Sequence, residues 1–375
     1  MDVDRYRELF PVCRSFNFQN HAGVAPLSLP AVDAIGRYAR LAAETAGVSE
    51  SLYEPVERIR AGAAKLIGSH SDEITFVKNT TEGLGWVAGG LDWRVGDNVV
   101  STAVEFPANV YPWMALVSRG VQLRQVAEEA GRIPLDRLIE AIDENTRVLA
   151  VSAVQYASGF RMDLQRLGQL CRERDILFCV DAIQSLGVLP IDVEAMAIDF
   201  LSADGHKWLC GPEGCGIFYC RRERLPLLTP VMTGWLCMVD AMNFGDYRFE
   251  YVQSARKFDT GSYNLAGIYA MGASLEMFLE LGIEAIWQRV KQLTDHLVQR
   301  LEAKGYRVIS SRRQGEASGI VAFVSDRHDQ ADLQHRLQHE HGVVIALREG
   351  RLRASPHFYN TIAEIDQLAD LLPEH

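Results

Sequence analysis

Lys207 stands in the stretch DGHKWLCGPEGCGIFY, between two apolar segments, DFLSA and IFY. A lysine in that setting is either a loop charge or a buried amine. A buried amine loses its charge readily, and its neutral form condenses with carbonyl groups to Schiff bases. Asp181 closes the apolar run ILFCVD, where a carboxylate needs a partner because an unpaired buried charge is costly. It can cap the segment after it, or face a cationic nitrogen of a ligand. Gln184, in the same turn, adds an amide donor. In KNTTEGLG, Thr80 and Thr81 sit at a helix start, where backbone N–H groups and hydroxyls bind anions. The plain alternative there is an N-cap with a nearby Glu. Phe106, in VEFPANVYPW, offers an aromatic face, although an aromatic at a strand end is more often core.

These residues share one kind of place. From about residue 55 to 230 the chain alternates helical and strand patterns. EPVERIRAGAAKLIGS, TEGLGWVAGGL, PANVYPWMALVSRG and LQRLGQLCRERD read as helices. EITFVKN, DNVVSTAVEF, RVLAVSAV, ILFCVDA, IDFLSAD and GCGIFYC read as strands. Continuous apolar strands between helices predict an α/β fold with a mainly parallel sheet covered on both faces. Ligands of such sheets bind beyond the carboxyl ends of the strands, and each residue named above comes just after a strand. From about residue 262 the texture becomes α+β. A long helical region precedes the strands SGIVAFVS, GVVIALRE and RLRASP, with helices at ADLQHRLQHEHG and TIAEIDQLADLL. The expected organisation is a large domain over 20–260 and a smaller C-terminal domain over 261–375, joined by an N-terminal segment 1–19.

Taken together, one sheet edge collects an anion cradle, an aromatic plate, a carboxylate, an amide and an amine. Those are the parts that hold pyridoxal 5'-phosphate: phosphate on a helix N-terminus, ring under an aromatic, carboxylate on the pyridinium nitrogen, lysine on the aldehyde.

Composition bounds the alternatives. The 375 residues are 48% hydrophobic and 23% charged, a soluble globular balance, and the net charge of −11 argues against nucleic acid as a partner. The start, MDVDRYRELF, lacks the apolar run of a signal peptide, and no stretch is apolar for long enough to span a membrane. Seven cysteines, several inside apolar runs, read as reduced thiols of a cytoplasmic protein. Cys210, Cys215 and Cys220 are evenly spaced but match no metal spacing, so no metal site is expected. The glycines of GPEGCG are not spaced as GxGxxG and lead into a strand, which argues against a dinucleotide site.

The chain resembles the class V aminotransferase family of fold-type I pyridoxal-phosphate enzymes. It is nearest in texture to isopenicillin-N-epimerase-like proteins, with cysteine desulfurases and kynureninases as more distant relatives. FQNHAGVAPLS, KNTTEGLG, VEFPANVYPW, VDAIQSLG, SADGHKWLCGPEGCGIFY, KFDTGSYN and RLRASPHFYNT carry the resemblance, in order along nearly the whole chain. It implies that Lys207 forms the Schiff base with the cofactor and moves protons. It implies that Asp181 pairs with the ring nitrogen, Gln184 with the ring oxygen, and that Phe106 stacks on the ring. Thr80 and Thr81 match the phosphate turn, with His206 beside it. Ser262, after Gly261, matches a residue that reaches the neighbouring subunit's phosphate, which implies a homodimer. Arg353 matches the arginine that grips the α-carboxylate of an amino acid substrate. Its plain alternative is a surface strand arginine, since Arg351 alternates on the same face.

Two departures bear on the reaction. Cysteine desulfurases carry a nucleophilic cysteine before that arginine, whereas GVVIALREGRLRAS has none and the last cysteine is Cys237. Tyr156, in VQYASGF, falls where desulfurases place a polar residue near the ring, and His21, in NHAG, falls where the N-terminal segment approaches the substrate. The expected activity is chemistry at the α-carbon of an amino acid, foremost transamination. The alternatives are a C–S or β-lyase, an epimerase and, remotely, a non-catalytic pyridoxal-phosphate-binding protein.

Overall fold

The structure, a computed structural model, describes residues 2–48 and 51–374. A seven-stranded sheet organises the larger part of the chain. Its strands are β1 (Ile74–Val77), β2 (Asn98–Thr102), β3 (Gln122–Val126), β4 (Thr146–Ser152), β5 (Leu177–Asp181), β6 (Phe200–Asp204) and β7 (Gly216–Cys220). They lie side by side in the order β3-β2-β4-β5-β6-β7-β1. Strands β2 to β6 are parallel, whereas β7 is antiparallel to both β6 and β1. The connection 205–215 between β6 and β7 explains the reversal. It holds no helix, and a parallel crossover needs a dozen or more residues.

Both faces of the sheet are buried, and the strands show it residue by residue. In β5, Phe178 and Val180 join one core, with Ile59, Ile67, Leu167 and Ile268. Leu177 and Cys179 join the other, with Leu84, Val87 and Trp113. The period of two is present but hidden, because both phases are apolar. Strand β3 lies at the sheet edge and is half exposed, so its sequence QLRQV carries no apolar run and is silent as a strand. PANVYPWMALVSRG, expected as one helix, forms the short turns Pro107–Asn109, Tyr111–Met114 and Ala115–Arg119. Val110 leaves the helical region at φ −120, and Pro112 has no N–H to give.

The long helical region predicted from 262 splits at Gly282, whose φ of +78 starts a new direction, into Leu265–Leu281 and Ile283–Ala303, bent by 81°. The first helix packs on the helices Leu29–Thr45 and Glu54–Ile67, with Leu265, Ile268, Met271 and Leu275 in the large-sheet core. The second backs a small antiparallel sheet of β8 (Arg307–Val308), β9 (Val321–Val324), β10 (Ala346–Arg348) and β11 (Arg351–Ala354), in the order β10-β11-β9-β8. The N-terminal segment joins this layer through its backbone. Asn17–Phe18 pairs with Val343–Val344, and Asn20 bridges to Ser355. Among the described residues, no single helix is long and apolar enough to cross a membrane.

Candidate active site

The parallel strands and β1 end at the same edge, and a cleft of about 440 Å³ opens there. Lys207, three residues past β6, lies in it, 8% exposed, with its Nζ 5.5 Å from the centre of the Phe106 ring. No acid among the described residues lies within ion-pair distance of this amine. Burial holds Lys207 below the ordinary lysine range, against the opposing field of Asp181.

Asp181, at the end of β5, faces the same cleft. Its Oδ1 accepts the Ile183 N–H at 3.0 Å, so it does cap the turn after it. Burial pushes the Asp181 carboxyl above the usual carboxylate range. The Ile183 N–H and Lys207 oppose that rise, and the nearby Glu105 carboxylate adds to it. A cationic ring nitrogen against Asp181 would remove that cost. Gln184 completes this wall. Its Nε2 donates to Ala22 O at 3.0 Å and its Oε1 accepts from Trp208 Nε1 at 2.9 Å.

Helix Thr80–Gly90 starts at the cleft and packs against β6. A Cβ on Gly83 would collide with Ser202 Oγ, so only glycine lets the helix sit this close. Asn79 is its N-cap, accepting from Glu82 N at 3.0 Å, so the plain capping alternative is also realised. Thr80 Oγ1 accepts from Asp204 N at 3.1 Å, which leaves its hydroxyl hydrogen to give, and Thr81 lines the cleft beside it. His206 Nδ1 lies 2.9 Å from Asp204 Oδ2, so Nε2 is the outward nitrogen.

The far end of the cleft is cationic. Arg353, on β11, is 1% exposed. Its Nη1 donates to Tyr156 O at 2.7 Å and its Nη2 reaches Asn20 Oδ1 at 3.4 Å, while its Nε has no partner among the described residues. Arg351 is ion-paired to Glu128, whereas neither Arg353 nor Arg348 has an acid within ion-pair distance among the described residues. Burial, with Arg348 nearby, pulls the Arg353 guanidinium down to about 9. A buried guanidinium without a carboxylate is a site for one. Tyr156 stands across from Phe106, rings edge to face at 5.3 Å, with its hydroxyl on Glu349.

Three expected residues lie elsewhere. His21 is fully buried behind the cleft, and both its ring nitrogens are used, Nδ1 on Ser355 O at 2.9 Å and Nε2 on the Tyr359 hydroxyl. Its neighbours Asn20 and Ala22 reach the cleft instead. Gly261 and Ser262 lie outside this cleft, Gly261 against the Trp235 ring and Ser262 exposed. The sequence reading missed Glu105. This buried carboxylate accepts from Thr102, Asn109, Ser152 and Gln155 and so fixes the turn that presents Phe106. The signal was available, since Glu105 comes after an apolar strand as Asp181 does.

The set fits pyridoxal phosphate on the structure's own terms. A buried amine without an acid, a buried carboxylate without a cation, an aromatic face and a hydroxyl-bearing helix start surround one cleft. The aminotransferase class-V family model matches residues 21–368. The chain belongs to this family. A probable cysteine desulfurase of Methanothermobacter thermautotrophicus is 32% identical, covering 100% of this chain and 98% of that protein. An uncharacterized aminotransferase of Bacillus subtilis is 29% identical, covering 98% and 96%. The apo cysteine desulfurase of Thermococcus onnurineus superposes with a TM-score of 0.90 at 23% identity, covering 98% and 96%. As a class V member the chain has the fold-type I architecture, and its cofactor is pyridoxal 5'-phosphate.

Proposed function

We propose that this class V enzyme is a C–S lyase that eliminates sulfur from the β-carbon of a cysteine-derived amino acid. The observation that carries the reading is Arg353, a buried guanidinium without an acid, sharing one cleft with the unpaired amine of Lys207. Full-length relatives named cysteine desulfurases, at 32% and 30% identity, favour sulfur chemistry over the transamination expected first. The Bacillus subtilis relative named an aminotransferase keeps transamination as the second reading.

Bound pyridoxal phosphate supplies an aldehyde that condenses with amines and a ring that draws electrons from the α-carbon. The protein's residues do the rest. Arg353 holds the substrate carboxylate through two N–H groups and thereby fixes which bond at the α-carbon faces the cofactor ring plane. Lys207, whose hold on a proton is weakened by burial, takes the α-proton and carries it to the departing sulfur. Asp181 holds positive charge on the ring nitrogen. Phe106 covers one ring face. The helix start at Thr80 and Thr81, with His206, holds the phosphate.

No enzyme thiol takes part. The seven cysteines are free, none lines the cleft, and burial pushes their thiols up, Cys13 to about 11. The sulfur therefore leaves as a small thiol or sulfide, with pyruvate and ammonia as the other products after water is consumed. We also propose a cytoplasmic homodimer of a large unit, 20–260, and a small one, 261–375. The exposed Ser262 and the exposed apolar side chains Trp235, Phe244, Tyr247 and Phe249 support a subunit contact there. The deciding experiment incubates the cofactor-loaded protein with cysteine, cystine and S-substituted cysteines, with and without a 2-oxo acid. Pyruvate, ammonia and the sulfur leaving group (sulfide from cysteine, cysteine persulfide from cystine, a thiol from S-substituted cysteines) in equal amounts, lost in Lys207→Ala, is the expected result. Amino transfer to the oxo acid without ammonia would replace this reading by transamination.

A further inference from the structure

Gln184 lies between two partners that each have only one hydrogen-bonding sense. The Trp208 indole N–H can only donate, and it meets Gln184 Oε1 at 2.9 Å. The Ala22 carbonyl can only accept, and it meets Gln184 Nε2 at 3.0 Å. The amide is therefore oriented by its surroundings. Turned over, it would set N–H against N–H and C=O against C=O in a site where Gln184 is 3% and Trp208 0% exposed. Its one unused hydrogen is on Nε2, and Gln184 lines the cleft beside Asp181 and Lys207.

Trp208 is itself held. Its carbonyl takes a hydrogen bond from His357 Nε2 at 2.9 Å. That tautomer is set by the other nitrogen, because His357 Nδ1 accepts the Phe358 N–H at 2.8 Å. The indole lies in one buried cluster with Phe278, Ile320 and Phe358, its ring 5.4 Å from that of His357, and its edge abuts Gly319, where a Cβ would lie 2.5 Å away. The chain just past β11 thus holds the residue after Lys207.

We propose that Trp208 is a positioning residue for the cofactor. Its indole N–H locks Gln184 so that an N–H, and not a carbonyl, faces the ring oxygen of pyridoxal phosphate and stabilises that oxygen in its ionised form. The proposal rests on the reading that places Gln184 beside the ring oxygen and Lys207 on the aldehyde.

The ratio of visible to near-ultraviolet absorption of the bound cofactor reports it at fixed pH. The longer-wavelength form has an ionised ring oxygen and the proton on nitrogen. Trp208→Phe and Gln184→Leu should each lower the ratio about tenfold, the low end of what one hydrogen bond to an ionised oxygen contributes. Trp208→Phe should add nothing in the Gln184→Leu background, because the indole acts only through the amide. Phe leaves part of the ring's space empty, so a second variant carries β-(3-benzothienyl)alanine at 208, which keeps both rings and replaces the N–H by sulfur. It should reproduce the Phe result. A ratio unchanged in the benzothienyl variant, or an equal fall with and without Gln184, would overturn the proposal and leave Trp208 a packing residue. A wild-type cofactor band that borohydride does not fix to Lys207 would instead sink the underlying reading.

Discussion

Replacing Arg353 by Met should strengthen the empty protein while weakening the substrate. The guanidinium is 1% exposed, has no acid within ion-pair distance among the described residues and is held at about 9 by burial and by Arg348. That depression corresponds to a cost on the order of 5 kcal/mol for keeping the charge inside. The sign comes from the direction of the shift. The cost is present in full at neutral pH and lifts only as pH rises through about 9 toward the ordinary arginine range. Met fills the stem volume and removes the charge, but strands the Tyr156 carbonyl that Arg353 serves at 2.7 Å, a loss of about 1–2 kcal/mol. The net gain is roughly 3 kcal/mol. For 375 residues, with an unfolding entropy of about 0.8 kcal/mol/K, that raises Tm by about 4 °C. Binding moves the other way. Losing two charge-assisted hydrogen bonds, at about 1.5–2 kcal/mol each, should weaken amino acids about 100–1,000-fold. The assay is thermal melting of both proteins at pH 7, together with titration of the cofactor absorbance by cysteine and by its decarboxylated amine. Cysteine binding should collapse while the amine is held as before. A Tm that falls by several degrees, or an equal loss for acid and amine, would show Arg353 to be a structural strand residue.

Asp181→Asn should flatten the fall in stability that the cofactor-free protein shows between the ordinary carboxylate range and about pH 7. Because burial raises the Asp181 value, the folded wild type binds a proton that the unfolded chain has released, so stability falls as pH rises from the ordinary carboxylate range. The difference in Tm between Asn and wild type should grow across that window and then level off, while cofactor affinity drops at least tenfold; a difference that is flat with pH refutes the account. Alkylating the protein with iodoacetamide should leave turnover within a factor of two, since no thiol lines the cleft and Cys13 is the one cysteine that is not fully buried. Inactivation that tracks modification of a single cysteine would restore a persulfide route.

The local chemistry was legible along the chain because it is local. Strands apolar on both faces announce a covered parallel sheet, and the residues just past each carboxyl end must line the crevice. Asp181, Lys207, Thr80, Thr81 and Phe106 all meet in one cleft for that reason. Partner choice was not legible, because it is made across the chain. Arg351 and Arg353 alternate on one strand, but only tertiary packing gives Arg351 an acid and leaves Arg353 with a carbonyl 197 residues distant. His21 reads as a site residue by its neighbours in sequence, but folding spends both its nitrogens on Ser355 and Tyr359. The direction of β7 hangs on the absence of a helix in 205–215, and β3 is silent because an edge strand needs few apolar residues. Gln184 is an amide at a turn in the sequence, and it acquires a polarity only between Trp208 and Ala22. Residue type and spacing determined which groups reach the sheet edge. Long-range packing decided which of them stay unpaired, and unpaired buried charge is what makes this cleft a site.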